Sequence, residues 1–135
     1  MANPFKPGSV YYARVPTEHV LDNECRDNPD QGPRPWLILY CRQHQRTGLV
    51  IAAPLYTKGD AEIASQTQTA PDHFDDCRDG TGIFSAGWIH LEQLRALDKA
   101  RLDLERGPIA CMKKVPFQAV RATLMGMFEP RLLPQ

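Results

Sequence analysis

The 135-residue sequence has no net charge, no long apolar run and no closely paired cysteines, and each absence removes a class of function. Its 16 Lys and Arg are balanced by 16 Asp and Glu, which argues against a strongly basic nucleic-acid binder. No apolar stretch nears the roughly 18 residues needed to span a bilayer, so no membrane partner is expected. The opening Met1-Ala2-Asn3-Pro4-Phe5-Lys6-Pro7 carries no apolar signal-peptide region, and the expected compartment is the cytoplasm. Cys25, Cys41, Cys77 and Cys111 form no C-x-x-C pair. In a reducing compartment they stay free thiols. Cys41-x-x-His44 and His73-x-x-x-Cys77 can be drawn as four zinc ligands, but 28 residues separate the two histidines. That spacing fits zinc sites poorly, and no metal or other cofactor is expected.

What is present is an ordinary globular composition, 42% hydrophobic and 24% charged, in a chain of one-domain length. There are no internal repeats. Charge is uneven: residues 58–82 hold Lys58 and Arg78 against Asp60, Glu62, Asp72, Asp75, Asp76 and Asp79. Any nucleic-acid contact is therefore expected to be local.

Period and turn chemistry predict a mainly β fold. Residues 9–15 (SVYYARV) read as a first strand and 36–41 (WLILYC) as a second, more apolar one. A polar turn ending at Gly48 leads to a third strand, 49–55, hairpinned to the second. Residues 16–35 and 57–82 read as long loops, the second of them functional or mobile given its length. Strand character returns over 83–91 (IFSAGWIHL), with a bend at Ala86-Gly87. Pro116 suits a first helical turn, after which Phe117, Val120, Leu124 and Met127 or Phe128 recur at helical spacing. One amphipathic helix on a small antiparallel sheet is expected, closed as a small β-barrel, with a disordered end at about 129–135.

Two places concentrate chemistry. Arg34 stands between Pro33 and Pro35 at the mouth of the second strand, where proline leaves the backbone little freedom. A guanidinium held still there can fork onto two phosphate oxygens, or it can be an ordinary surface charge. His90 and Glu92 lie two apart at the end of a strand, so alternation would turn both toward one cleft, an arrangement suited to proton transfer. The bland reading is a polar strand end facing solvent.

The order of pieces is more telling than any one of them. A Gly-x-Val strand comes first, and a polar loop ending Gly32-Pro33-Arg34-Pro35 leads into the apolar second strand. A Thr-Gly turn and a strand ending Pro54-Leu55-Tyr56-Thr57 follow. Glu92-Gln93-Leu94-Arg95-Ala96-Leu97-Asp98-Lys99-Ala100-Arg101-Leu102 precedes the helix. From about Pro7 to Phe128 this resembles the PemK/MazF family of toxin–antitoxin endoribonucleases.

The resemblance implies an SH3-like barrel, a homodimer, an antitoxin protein as partner, and single-stranded RNA as substrate. The implied reaction is attack of a ribose 2′-OH on the adjacent phosphate without a metal. It implies Arg34 as the phosphate stabiliser and Glu92 as a proton-transfer residue, with His90 where some members carry a basic residue. Where the family carries Pro-x-Thr-(Ser/Thr), Tyr56 takes the first hydroxyl position and Thr57 the second. Either Tyr56 contacts phosphate or base, or a one-residue shift lets Thr57 act. Lys58 at the same corner and His19 in the long first loop are further candidates for RNA contact. Gln93, Arg95 and Asp98 read as a structural turn with an ion pair. Two alternatives stand beside the nuclease: an inactive barrel that binds nucleic acid or protein, and a gyrase-directed toxin of the same fold. The latter usually carries a tryptophan near its C-terminus, and this chain has none after Trp88.

Overall fold

The computed structural model describes residues 6–41, 48–76 and 87–128. The strands are β1 (Ser9–Ala13), β2 (Arg34–Cys41), β3 (Leu49–Tyr56), β4 (Gln66–Gln68), β5 (Phe74–Asp76), β6 (Trp88–His90), β7 (Arg95–Asp98) and β8 (Ala110–Met112), followed by helix α1 (Lys114–Phe128). They form one antiparallel sheet in the order β4-β6-β3-β2-β1-β8-β5, with β7 also on β3. The sheet curls into a half-barrel, and the fold is mainly β with a single C-terminal helix, as the sequence led us to expect.

Both faces of this sheet are covered, which explains the near-continuous apolar run of β2. Trp36, Ile38 and Cys41 join Tyr11, Val50, Ala52 and Leu97 in one core. Leu37 joins Val10, Ala53, Leu55, Ile89 and Val120 in the other. Pairing slips between Ile38↔Ala52 and Tyr40↔Ile51, leaving Leu39 as the extra residue of a bulge. That extra residue reverses the alternation, so Cys41 returns to the face of Ile38. Helix α1 docks through Val120, Phe117 and Leu124 on the second core.

Several expectations change. The segment 57–82 is not structureless: it contains β4, a 3-10 turn at Pro71–His73, and β5. The strand expected over 83–91 ends at His90, and Leu91–Gln93 form a 3-10 turn. Its beginning, 83–86, lies outside the described residues, as do the turn residues 42–47, Cys77 and the tail 129–135. Arg34 and Pro35, assigned to the loop, begin β2, because Arg34 pairs with Ala13 and Pro35 with Tyr12 of β1. Strands β7 and β8 were not anticipated. Met127 and Phe128 continue the helical spacing but are 37% and 68% exposed, because the helix runs past the core that holds Leu124. Among the described residues no helix is long and apolar enough to cross a membrane.

Candidate active site

Strand register brings most of the site together. Trp36 lies opposite Pro54, and continuing that register by two residues sets Arg34 toward Tyr56, where their side chains meet. Tyr56 pairs in turn with Trp88, and His90, two residues on from Trp88, shares its face. His90 pairs with Gln66 of β4. One row of side chains thus crosses four neighbouring strands, drawn from four distant parts of the chain.

The contacts follow this row. The Arg34 guanidinium lies 4.4 Å from the centre of the Tyr56 ring. That separation suits a cation–π contact. The Tyr56 and His90 rings stack with centroids 4.1 Å apart at a tilt of 33°. His90 Nδ1 is 3.5 Å from Glu92 Oε1. Ser65 Oγ donates to Glu92 Oε2 at 2.7 Å and Gln66 Nε2 donates to Oε1 at 2.8 Å. Burial opposes the charge on Glu92. The bonds from Ser65, Gln66 and its own backbone, with His90 nearby, outweigh that penalty and hold its pKa below the ordinary value. At neutral pH it is a carboxylate.

Beneath this row sits the first loop. Arg34 Nε donates to the Arg26 carbonyl at 2.7 Å, which fixes the guanidinium plane. The Cys25 thiol is hydrogen-bonded to the Tyr56 hydroxyl, and Cys25 is 3% exposed. Burial pushes the Tyr56 pKa above the ordinary tyrosine range, aided by the Cys25 bond and opposed by the charge of Arg34. Burial likewise raises the Cys25 thiol, against the opposing effects of Tyr56 and Arg34. Both stay protonated at neutral pH. The loop is clipped from the other side by Gln93, whose Oε1 accepts from the Cys25 N–H at 3.0 Å and whose Nε2 donates to the Asn23 carbonyl at 2.7 Å.

The candidates separate accordingly. Arg34, Tyr56, His90 and Glu92 converge, although the route differs for the last pair. His90 ends a strand and Glu92 follows in a 3-10 turn, so strand alternation is not what brings them together. Thr57 is exposed and makes no hydrogen bond to the other four among the described residues. Lys58 contributes its carbonyl, which accepts from His90 Nε2 at 2.8 Å, so Nε2 carries the ring proton. His19 stands apart from the row: its Nδ1 lies 3.2 Å from Arg101 Nη1. Gln93 and Asp98 hold structure through hydrogen bonds as read, but Arg95 to Asp98 form strand β7 on β3 rather than a turn. Asp98 caps the Ala100 N–H at 2.9 Å, and the expected ion pair with Arg95 is not formed. Cys25, Ser65 and Gln66 were missed. Each reaches the site through space from a segment with no motif of its own.

A cation, an aromatic ring, an imidazole and a hydrogen-bonded carboxylate in one row can hold a phosphate, stack a base and move a proton. Among the described residues no group of three or more His, Cys, Asp or Glu is arranged to hold a metal ion. No curated protein matches the chain. A family model does: residues 6–128 match the PemK-like, MazF-like toxin of type II toxin–antitoxin systems. This span takes in every described strand, the helix and all four converging residues. The chain therefore belongs to the PemK-like, MazF-like toxin family, whose type II systems pair each toxin with an antitoxin protein.

Proposed function

We propose that this toxin is an endoribonuclease that cuts single-stranded RNA without a metal ion. The observation that carries the reading is the convergence of Arg34, Tyr56 and His90 with Glu92 of the following 3-10 turn. The Glu92 carboxylate takes the proton from the ribose 2′-OH, and the freed oxygen attacks the adjacent phosphorus. Arg34 stabilises the extra negative charge on the phosphorane. As the bond from phosphorus to the 5′ oxygen breaks, His90 in its imidazolium form supplies the leaving oxygen's proton. The products are a 2′,3′-cyclic phosphate and a 5′-hydroxyl. Tyr56, neutral at working pH, offers a stacking face to a splayed base. The cytoplasm is the matching compartment. Homodimerisation through the exposed helix residues Met125 and Phe128 completes the picture, with the antitoxin lying across the same cleft.

The test is incubation of a long single-stranded RNA with purified protein in EDTA. We expect fragments with 5′-hydroxyl ends from the wild type and at least a hundredfold loss in Arg34→Ala, on the order of one phosphate-stabilising contact. A folded wild type that leaves the RNA intact overturns the reading. It would favour the second one, an inactive binding barrel. That alternative has its own support, because Tyr56 fills the family's threonine position and its hydroxyl is already engaged by Cys25.

A further inference from the structure

A second feature with the chemistry of a polyanion site lies beside this row. A groove of about 640 Å³ opens between the end of β1 and the segment 100–106. Its lining includes Arg14, Arg101 and Arg106, together with Tyr12 and Pro33. The whole chain is neutral, and the groove's three guanidinium groups outnumber its two carboxylates, Asp103 and Glu105, so its lining carries one net positive charge. Asp103 neutralises one of them, at 3.8 Å from Arg106 Nε. Arg14 and Arg101 form no ion pair with a carboxylate among the described residues.

The groove is also ordered. Arg101 Nη1 donates to the Arg14 carbonyl and meets His19 Nδ1, both at 3.2 Å. These two acceptors hold the guanidinium in place and leave its other N–H groups for a ligand. The Arg106 guanidinium lies 4.6 Å from the centre of the Tyr12 ring, a flat platform of the kind on which bases stack. His19, which stands apart from the catalytic row, is thus placed beside this groove.

Position links the groove to the row. Pro33, the residue before Arg34, is part of the groove wall. Ala13, another wall residue, is the ladder partner of Arg34, about 5 Å away by ordinary strand geometry. Tyr12 packs on the second core, whereas Ala13 and the Tyr56 row face the first, so a single strand whose scissile phosphate sits on Arg34 reaches the groove by passing round the Pro33 end of β2.

We propose that the Arg14–Arg101–Arg106 groove is an accessory subsite that binds the sugar-phosphate backbone of single-stranded RNA flanking the cut. The proposal rests on the nuclease reading. It predicts that binding strengthens with RNA length, and that the length-dependent part belongs to the groove.

The experiment measures binding by fluorescence anisotropy, using labelled mixed-sequence oligoribonucleotides of four and twelve residues. All riboses carry 2′-O-methyl groups, so that nothing is cut. Arg14 is exposed, so Arg14→Ala leaves the core untouched. Each single-strand phosphate contact contributes about 0.7 to the slope of log affinity against log salt. Arg14→Ala should therefore lower that slope by about 0.7 for the twelve-residue RNA and leave the four-residue RNA unchanged. Glu105→Lys, at the same groove, should tighten binding of the long RNA and steepen its slope.

Unchanged slopes in both variants, with binding still weakened by Arg34→Ala, would overturn the subsite and leave the nuclease reading standing. A wild type that neither binds nor cuts RNA would sink both. Variants that alter sedimentation but not RNA binding would show the groove to be a protein contact instead, which also overturns the proposal.

Discussion

Tyr56 occupies the centre of the row, with Arg34 on its ring, His90 stacked beside it and Cys25 on its hydroxyl. Tyr56→Phe keeps both ring contacts and removes only the hydrogen bond. We expect a loss of about 1 kcal/mol, a Tm lower by about 4 °C, and retained cleavage if the ring is what the site uses. The same residue makes alkaline pH informative. Tyr56 and Cys25 both titrate higher in the folded state than in the unfolded chain, so folding binds their protons more tightly. Their contribution is complete below the unfolded values, about 8.5 for cysteine and 10 for tyrosine, and is lost as pH climbs through the folded ones. Glu92 behaves oppositely, adding stability above the ordinary glutamate range and losing it as pH falls through its lowered folded value. Thermal melts across pH should show both limbs, with the alkaline one shallower in Tyr56→Phe. Arg34, Tyr56, His90 and Glu92 could be picked out of the sequence because proline context, spacing and family pattern mark them. Ser65 and Gln66 could not. They meet Glu92 only because β4 pairs with β6, and a three-residue strand shows no period to read.

At the scale of elements, β3 organises the molecule by dividing one edge between two partners. Leu49 to Ala52 pair with β7, while Leu55 and Tyr56 pair with β6. The change of partner falls at Ala53 and Pro54. Proline has no N–H for a ladder and is ordinarily excluded from a central strand, so its presence here coincides with the break. Long apolar strands and the helix were legible because burial imposes their period. The short strands β5, β7 and β8 were not, since pairing rather than propensity makes them strands. The Gln93 clip belongs to this scale too, since it joins the turn carrying Glu92 to the loop beneath Arg34. Gln93→Ala removes both hydrogen bonds at once. We expect Cys25 to react at least tenfold faster with a thiol-specific reagent, read peptide by peptide in mass spectrometry, as the loop opens more often. Protection equal to wild type would show that the loop is held without the clip.

For the molecule as a whole, the helix presents an apolar surface that the sheet does not cover. Val115, Met125 and Phe128 are 74%, 65% and 68% exposed. These are the residues through which the proposed dimer would form. Sedimentation should show a dimer for the wild type and a monomer for Met125→Asp/Phe128→Asp, with thermal stability of the monomer otherwise close to that of the parent. A wild type that stays monomeric at micromolar concentration would remove the dimer from the account.

His90 offers a last consequence. Its Nε2 proton is held by the Lys58 carbonyl, in the corner that carries the chain away from β3. The ring's other nitrogen faces Glu92. In the proposed cleavage, handing a proton from Nε2 to RNA would require that corner to let go, whereas a proton on Nδ1 would leave past the carboxylate. In the proposed reaction it is therefore the backbone at residue 58, not the Lys58 side chain, that stands between the imidazole proton and RNA.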